Sequence, residues 1–168
     1  MAGFHVGQYA CLGSLSIDGA PAFPLNCPAW DVVNLDTLWP GVGDTQRGEN
    51  LALPRIVGRR SFPRRLDERV ARLIIWVRGD VNQTGVEYTT APAPGWEGLY
   101  TNLTTLRTSV FSPVGTGDGV RACTLTTPTG ATLTADCQFS GLTESGDIED
   151  PNEAIYTFDL TIPQGRFA

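Results

Sequence analysis

The feature that most constrains the fold is an alternation of apolar and polar residues along residues 120–139. The apolar members stand at every second position on both sides of a turn, and they are Cys123, Leu125, Ala131, Leu133, Ala135, Cys137 and Phe139. A period of two residues is typical of a β-strand that buries one face and exposes the other. Pro128 and Gly130 favour a turn between the two runs. The pattern therefore predicts a β-hairpin over 120–139 with one face in water.

Three further segments have a readable periodicity. Residues 154–163 alternate in the same way and predict a closing strand. Residues 69–78 are apolar at every odd position from Ala71 to Val77 and at several positions between, which predicts a strand covered on both faces. A one-sided stripe at helical spacing, Leu99, Leu103, Leu106 and Val110, predicts a helix at about 97–111 that packs on a sheet.

These elements indicate a mainly β fold, an antiparallel β-sandwich with one flanking α-helix. A chain of 168 residues is near the usual size of one domain, and neither a repeat nor a linker interrupts it, so we expect a single domain over 1–168. Residues 36–68 show no sustained period and are punctuated by Gly and Pro, which predicts a long irregular loop with at most short strands. Such a loop within a small domain is usually functional or part of an assembly contact.

Charge is strongly segregated along the chain. All twelve basic residues are Arg, and nine of them lie between 47 and 78, where only three acidic residues oppose them. The rest of the chain contains fifteen acidic residues and only three Arg, and several of these acidic residues cluster between Glu144 and Glu153. The net charge of −6 argues against general binding of nucleic acid, which requires clustered cations. The two segments are either solvated faces or complementary patches that meet between copies of the chain.

The residues that usually carry catalysis or metal binding are scarce. His5 is the only histidine, which disfavours Ser-His-Asp chemistry and transition-metal sites. The glycine-rich stretch 115–119 precedes a strand, whereas a phosphate loop precedes a helix. The paired carboxylates of 144–150 share one polar loop, where solvated side chains are the simpler interpretation than a glycosidase site. We therefore expect no enzyme activity, no cofactor and no metal.

The four cysteines do not form a Cys-x-x-Cys pair, so we interpret them as small buried apolar residues. A disulfide between Cys123 and Cys137 stays open as an alternative, and it would require an oxidising compartment. No stretch approaches the length of a membrane-spanning helix, and the first residues lack the pattern of a signal peptide. We therefore expect a soluble protein with no membrane partner.

Several short motifs between 17 and 80 form a recognisable series. They are Ile17-Asp18-Gly19, Pro28-Ala29-Trp30-Asp31, Arg47-Gly48-Glu49-Asn50, Leu53-Pro54, Gly58-Arg59-Arg60, Leu66-Asp67-Glu68-Arg69 and Gly79-Asp80. Together with the helix, the hairpin and the closing strand through Ile162-Pro163-Gln164-Gly165-Arg166-Phe167, this series resembles the N-terminal, tail-tube-like domain of distal tail proteins of long flexible-tailed bacteriophages, especially actinobacteriophages.

The resemblance implies a structural protein of the virion, made in the host cytoplasm and located at the tip of the phage tail. It implies a hexameric ring that joins the tail tube to the tail tip or baseplate hub and lets phage DNA pass through its lumen without specific binding. The implied partners are the tail tube protein and the tip or baseplate hub protein, with the tape measure protein as an additional candidate.

A ring needs two different surfaces on each subunit, and the Arg-rich and acidic segments supply such a pair. We therefore hypothesise that the 47–69 segment of one copy docks on its neighbour through charge-assisted contacts. The subunit-interface candidates are Arg47, Arg59, Arg60, Arg64, Arg65, Arg69, Glu149, Asp150 and Glu153.

Two alternatives stay open. One is a major tail tube subunit or another minor tail protein with the tail-tube fold. The other is a carbohydrate-binding β-sandwich module, in which the Thr-rich hairpin and exposed tryptophans at Trp30, Trp39 and Trp96 would contact sugars.

Overall fold

The computed structural model describes residues 12–43, 46–47, 50–52, 59–61, 65–111, 119–145, 150 and 152–168. Within these residues the strands, in chain order, are β1 (Ser14–Ile17), β2 (Phe23–Pro24), β3 (Asn26–Cys27), β4 (Trp30–Val32), β5 (Gln46–Arg47), β6 (Asn50–Ala52), β7 (Arg59–Ser61), β8 (Arg65–Leu66), β9 (Arg69–Arg78), β10 (Arg121–Thr126), β11 (Thr132–Glu144) and β12 (Glu153–Ile162). The helix α1 (Trp96–Leu106) lies between β9 and β10. The predicted mainly β fold with one flanking helix is confirmed.

Eight strands form one antiparallel sheet in the order β2-β1-β10-β11-β12-β9-β4-β3. The strand β11 belongs to both halves of this sheet, because its residues 132–137 pair with β10 and its residues 138–144 pair with β12. A bulge between Ser140 and Thr143 interrupts the second ladder, and Gly141 within it has a φ of 72° that favours glycine. The hairpin and the closing strand lie where the alternation predicted them, and β11 continues beyond the predicted end.

The two ends of the strand order are one continuous piece of chain. Only Leu25 separates β2 from β3, so residues 23–27 pair with β1 through their first half and with β4 through their second half. The Leu25 N–H donates to the Leu15 carbonyl over 2.8 Å, and the Leu15 N–H donates to Asn26 Oδ1 over 2.9 Å. The single eight-stranded sheet therefore consists of two half-sheets joined at both sides, by β11 and by residues 23–27.

The two half-sheets and the helix share one core. The inward positions alternate along each strand, as the period-two pattern predicts, and the largest fully buried side chains are those of Trp30, Phe158, Phe167, Leu15, Leu25, Leu35, Leu38, Leu73, Ile75, Leu106, Leu125 and Leu160. The helix contributes Leu99, Leu103 and Leu106 to this cluster, and the stripe predicted from its spacing faces the sheet. A π-helical turn, Arg107–Phe111, extends the helix and brings the Phe111 ring to 5.5 Å from that of Phe158.

The first turn of the helix α1 lies in close contact with the backbone at the end of β9. Gly95 precedes it with a φ of 96°, and Glu97 in the first turn accepts a hydrogen bond from the Ala93 N–H over 2.9 Å. At Gly98, an added Cβ would lie 2.0 Å from the Gly79 carbonyl oxygen. Only glycine permits this approach of the helix to the end of β9.

The prediction that β9 is covered on both faces is wrong for its first half. Its odd positions are buried as expected, but on the other face Val70 is 59% exposed and Arg72 lies in solvent. Arg72 pairs there with Asp159 of the neighbouring strand, with 2.9 Å between Nε and Oδ1. Trp76 is buried, so coverage of the second face is reached only near the end of the strand.

Within the Arg-rich loop expected over 36–68, the structure places the short turn Leu35–Leu38 and four short strands. Residues 46–47 pair with 65–66, and residues 50–52 pair with 59–61, all antiparallel. The two ladders are nested in sequence, and we call the segment 46–66 that contains them the arm. In the described residues the arm strands pair only with each other and not with the main sheet.

The thiols of Cys27, Cys123 and Cys137 are free. Cys123 and Cys137 lie fully buried in the core, which agrees with their interpretation as small apolar residues. A hydrogen bond with Cys137, together with burial, raises the pKa of the Cys123 thiol, so it stays protonated. The alternative of a disulfide between them is not realised in the structure.

Candidate interaction surfaces at the two ends of the subunit

The arm carries most of the arginines that were predicted to form an interface. Arg47 lies in β5, Arg59 and Arg60 lie in β7, and Arg65 lies in β8. The register places Arg47 directly opposite Arg65. Arg64 lies outside the described residues.

The base of the arm lies at the N-terminal end of β9. An added Cβ at Gly165 would lie 2.3 Å from the Asp67 carbonyl oxygen, so the turn after β12 holds the chain where it leaves the arm. Arg69, the first residue of β9, donates from its guanidinium to the Thr37 carbonyl and lies beside Gly43. Its side chain therefore contributes to this anchorage within the subunit.

The acidic candidates lie at the other end of β9. Glu153 begins β12 directly opposite Arg78, the last residue of β9. Asp150 is exposed, and its carboxylate accepts a hydrogen bond from the Asn152 N–H over 2.8 Å. The Gly79 N–H donates to the Asn152 carbonyl over 2.8 Å, which attaches this turn to the end of β9. Glu149 lies outside the described residues.

The length of β9 thus separates the base of the arm from the acidic turn. Its ten residues span about 30 Å at roughly 3.3 Å per residue. The sequence predicted that the two charged segments meet as complementary patches between copies, and in the structure they lie at opposite ends of β9 in one chain. A contact between such ends of different copies is heterologous, the kind that generates rings or filaments.

A cavity of about 530 Å³ lies at the acidic end, beside Asn26 and Cys27 of the segment that joins the two half-sheets. We call it the junction pocket, and its lining residues are Gly13, Ser14, Asn26, Cys27, Pro28, Asp31, Arg78, Thr126, Thr127, Pro128 and Gly130. Asn26 donates to the Asp31 carboxylate and, over 3.2 Å, to the Val32 carbonyl. Sequence reasoning missed this site, because a single Asp after the Pro28-Ala29-Trp30 turn carries no pattern of its own.

The two charged side chains that line the junction pocket, Asp31 and Arg78, both make hydrogen bonds with neighbouring residues. Asp31 is only 2% exposed, and Arg78 donates to both carboxylate oxygens of Asp80, from Nε over 2.8 Å. Burial raises the pKa of the Cys27 thiol, so at neutral pH this residue adds a neutral group. Among the described residues, the charged groups at this end include Asp31, Arg78, Asp80 and Glu153, and the guanidinium of Arg78 is held by the carboxylate of Asp80.

The exposed aromatic residues differ from those expected for sugar binding. Trp30 is fully buried and its indole N–H donates to the Pro24 carbonyl over 3.0 Å, and Trp39 is half-buried. The expectation that these two side chains are exposed is therefore wrong, because each completes the core. Trp96 is 56% exposed and Tyr100, one helical turn later, is 70% exposed. This pair is an exposed aromatic surface on α1.

The described residues contain no group of three or more His, Cys, Asp or Glu side chains that could hold a metal ion. None of the helices in that part of the chain is both long and apolar enough to cross a membrane. No family model matches the chain, and no curated protein matches it.

Proposed function

We propose that the protein is a structural subunit of a bacteriophage tail, which forms a hexameric ring between the tail tube and the tail tip or baseplate hub and leaves a lumen for DNA. The proposal rests on the resemblance of the motifs over residues 17–80 to distal tail proteins, and the mainly β fold with one helix is consistent with it. In this role the chain needs no catalytic residue, and its partners are further copies of itself, the tube protein and the hub protein.

The observation that carries this proposal is the arm. An arginine-rich segment whose strands pair only with each other in the described residues, and whose base lies at the opposite end of β9 from an acidic turn, suits a head-to-tail contact between copies. Arginine is the residue best suited to such contacts, because its planar guanidinium binds a carboxylate through two hydrogen bonds. The same geometry suits a major tail tube subunit or another minor tail protein, which are the second candidates.

Charge reversal in the arm tests the proposal. The double variant Arg64→Glu and Arg65→Glu should abolish assembly, measured by light scattering and negative-stain electron microscopy, while circular dichroism shows a folded monomer. As a matched control, Glu replaces the exposed Arg107 and Arg166, which lie outside the arm, and this variant should assemble. Normal rings from the arm variant would overturn the docking role of these arginines.

Antibody labelling of virions then separates the tail candidates. Label at the junction of tube and tip supports the distal ring, whereas label along the whole tube supports a tube subunit.

A carbohydrate-binding module is kept as a further candidate because of one observation, the exposed pair of Trp96 and Tyr100 on α1. Aromatic rings of this kind stack on the apolar faces of sugars. A glycan screen with the wild type and with the Trp96→Ala variant tests it. Binding by a monomer that is lost in this variant would favour the module over the tail subunit.

A further inference from the structure

The helix α1 buries its leucines but presents two aromatic side chains to solvent. Trp96 is 56% exposed and Tyr100, one helical turn later, is 70% exposed. Residues four apart lie on the same side of a helix, so the two rings form one surface, which we call the aromatic pair. Tryptophan and tyrosine are among the residue types that contribute most to binding at protein interfaces. Exposed aromatic surface of this kind is typical of a docking site.

A second exposed surface lies on the outer face of β9 and β12, at the N-terminal half of β9. It consists of Val70 and Arg72 of β9 and of their cross-strand neighbours Thr161 and Asp159, and we call it the platform. Val70 is 59% exposed, and 73% of the Arg72 side chain is exposed. The Asp159 carboxylate accepts two hydrogen bonds from Arg72, from Nε over 2.9 Å and from Nη2 over 3.2 Å. The two bonds hold the guanidinium in one orientation.

The chemistry of the platform fits an aromatic ring. A planar guanidinium stacks on aromatic faces and is attracted to the negative charge of the ring face. Asp159 restricts the Arg72 side chain before binding, so less conformational freedom is lost when a ring packs on it. Val70 lies two residues earlier on the same face of the strand and adds an aliphatic contact beside the guanidinium.

The aromatic pair and the platform lie toward opposite ends of β9. The Gly95 N–H, next to Trp96, donates to the Gly79 carbonyl over 2.9 Å, which places the start of α1 at the C-terminal end of the strand. The acidic turn is attached to the same Gly79 through the Asn152 carbonyl. Val70 is the second residue of β9 and follows the arm by four residues. A head-to-tail contact between the arm of one copy and the acidic turn of the next therefore puts platform and aromatic pair at the same interface.

We propose that the aromatic pair of one copy packs on the platform of the next, with Trp96 on the Arg72 guanidinium and Tyr100 beside Val70. This inference rests on the ring-forming function proposed above, and it adds an aromatic contact to the charged contact of the arm. The occupant is a second copy of this chain, because one chain exposes both the rings and the held guanidinium on which they stack. A contact between two different surfaces is heterologous and repeats from copy to copy, as a ring requires.

Cross-linking between two variants of the full chain tests which surfaces meet. One variant carries Val70→Cys and the other carries Tyr100→Cys, and a short bismaleimide links thiols of neighbouring copies. We expect a cross-linked dimer from the equimolar mixture, and from either variant alone only the background that the native cysteines give in the wild type. A dimer from Val70→Cys alone would mean that two platforms meet, and one from Tyr100→Cys alone would mean that two helices meet. Either result would overturn the inference.

Substitution measures how much the contact contributes to assembly. Trp96→Ala should raise the concentration of half-assembly, followed by light scattering, about tenfold, as for an aromatic residue at the centre of an interface. Val70→Ala should raise it less, and Val86→Ala, which truncates an equally exposed valine outside both surfaces, is its matched control and should leave it unchanged. The double variant Trp96→Ala with Val70→Ala should cost less than the product of the single effects, because both remove one contact. Independent effects would contradict the pairing.

Electron microscopy of the same samples separates this inference from the proposed function. Rings that form without the mixed cross-link, or equally well in Trp96→Ala, would overturn the aromatic contact and leave the ring function in place. A wild type that forms no ring at any concentration would overturn the ring function and the aromatic contact with it. Glycan binding that is lost in Trp96→Ala, while assembly is unchanged, would assign the aromatic pair to a sugar and overturn the inference.

Discussion

At the scale of single residues, one buried amide joins the helix to the sheet. Asn102 is 2% exposed, and its Nδ2 donates to the Arg78 carbonyl over 2.7 Å and to the Val81 carbonyl over 2.9 Å. Its Oδ1 accepts the hydroxyl of Tyr88 over 2.8 Å. A polar side chain is stable in a core when its hydrogen bonds are all made, and this one therefore stabilises the region beside the junction pocket.

The Asn102→Ala variant should lower the free energy of unfolding by about 2–4 kcal/mol, because it leaves two carbonyls and one hydroxyl without this partner. Tyr88→Phe removes only the hydroxyl and should cost about 1 kcal/mol. Urea denaturation of both variants measures the difference. Equal costs would contradict the role of Asn102 as the central donor.

Gly98 tests the close approach of α1 to β9. In Gly98→Ala the new Cβ would meet the Gly79 carbonyl oxygen at 2.0 Å and the Tyr88 ring at 2.6 Å. We expect a loss of about 1–3 kcal/mol, typical of overpacking, by thermal or urea unfolding. Thr104→Ala lies on the exposed side of the same helix and should change stability by less than about 0.5 kcal/mol. A silent Gly98→Ala would mean that the helix lies further from the strand.

The pair of Arg72 and Asp159 gives a pH-dependent prediction. The hydrogen bond from Arg72 lowers the pKa of the Asp159 carboxyl. A folded-state pKa below the unfolded one adds stability that is present above the unfolded pKa, about 3.9, and is lost as the pH falls through the folded pKa. In Arg72→Ala the pKa of Asp159 should rise toward the ordinary value, measured by carboxyl 13C NMR. An unchanged titration would contradict the pairing.

At the scale of elements, the periodicity of neighbouring residues predicted those strands and helices whose buried face is set by their own residues. The alternation around Pro128 predicted the hairpin of β10 and β11, and the Leu99 stripe predicted the helix, because each pattern reports which face is buried. The arm was not predicted, because its strands are two or three residues long and their pairing depends on a partner far along the chain. The sequence did not predict that the first half of β9 is exposed on one face, because an apolar residue such as Val70 does not show whether another element packs over it.

Shortening the arm tests its independence from the main sheet. Replacing residues 48–64 by a short Gly-Ser turn keeps both strands at the base of the arm and should leave the melting temperature within a few degrees, because the described arm strands pair only with each other. The same variant should fail to form rings. Calorimetry and light scattering measure the two outcomes, and a protein that unfolds when the arm is removed would contradict the independence.

At the scale of the whole molecule, the two ends of β9 differ in charge. The strand β9 carries the arginine-rich arm at one end and the junction pocket with its acidic surroundings at the other. The sequence predicted that positive and negative charge lie on different segments, since this is a matter of counting. It did not predict that they lie at opposite ends of β9, since this follows from the register between strands that are distant in sequence.

We propose that six copies of this chain, joined head to tail, close into a ring. Negative-stain electron microscopy of the purified full chain at high concentration, with light scattering on the same sample, tests it most directly. We expect rings of one diameter with a central hole and a mass that corresponds to six copies. A monomer at every concentration, or aggregates without a closed shape, would contradict the account.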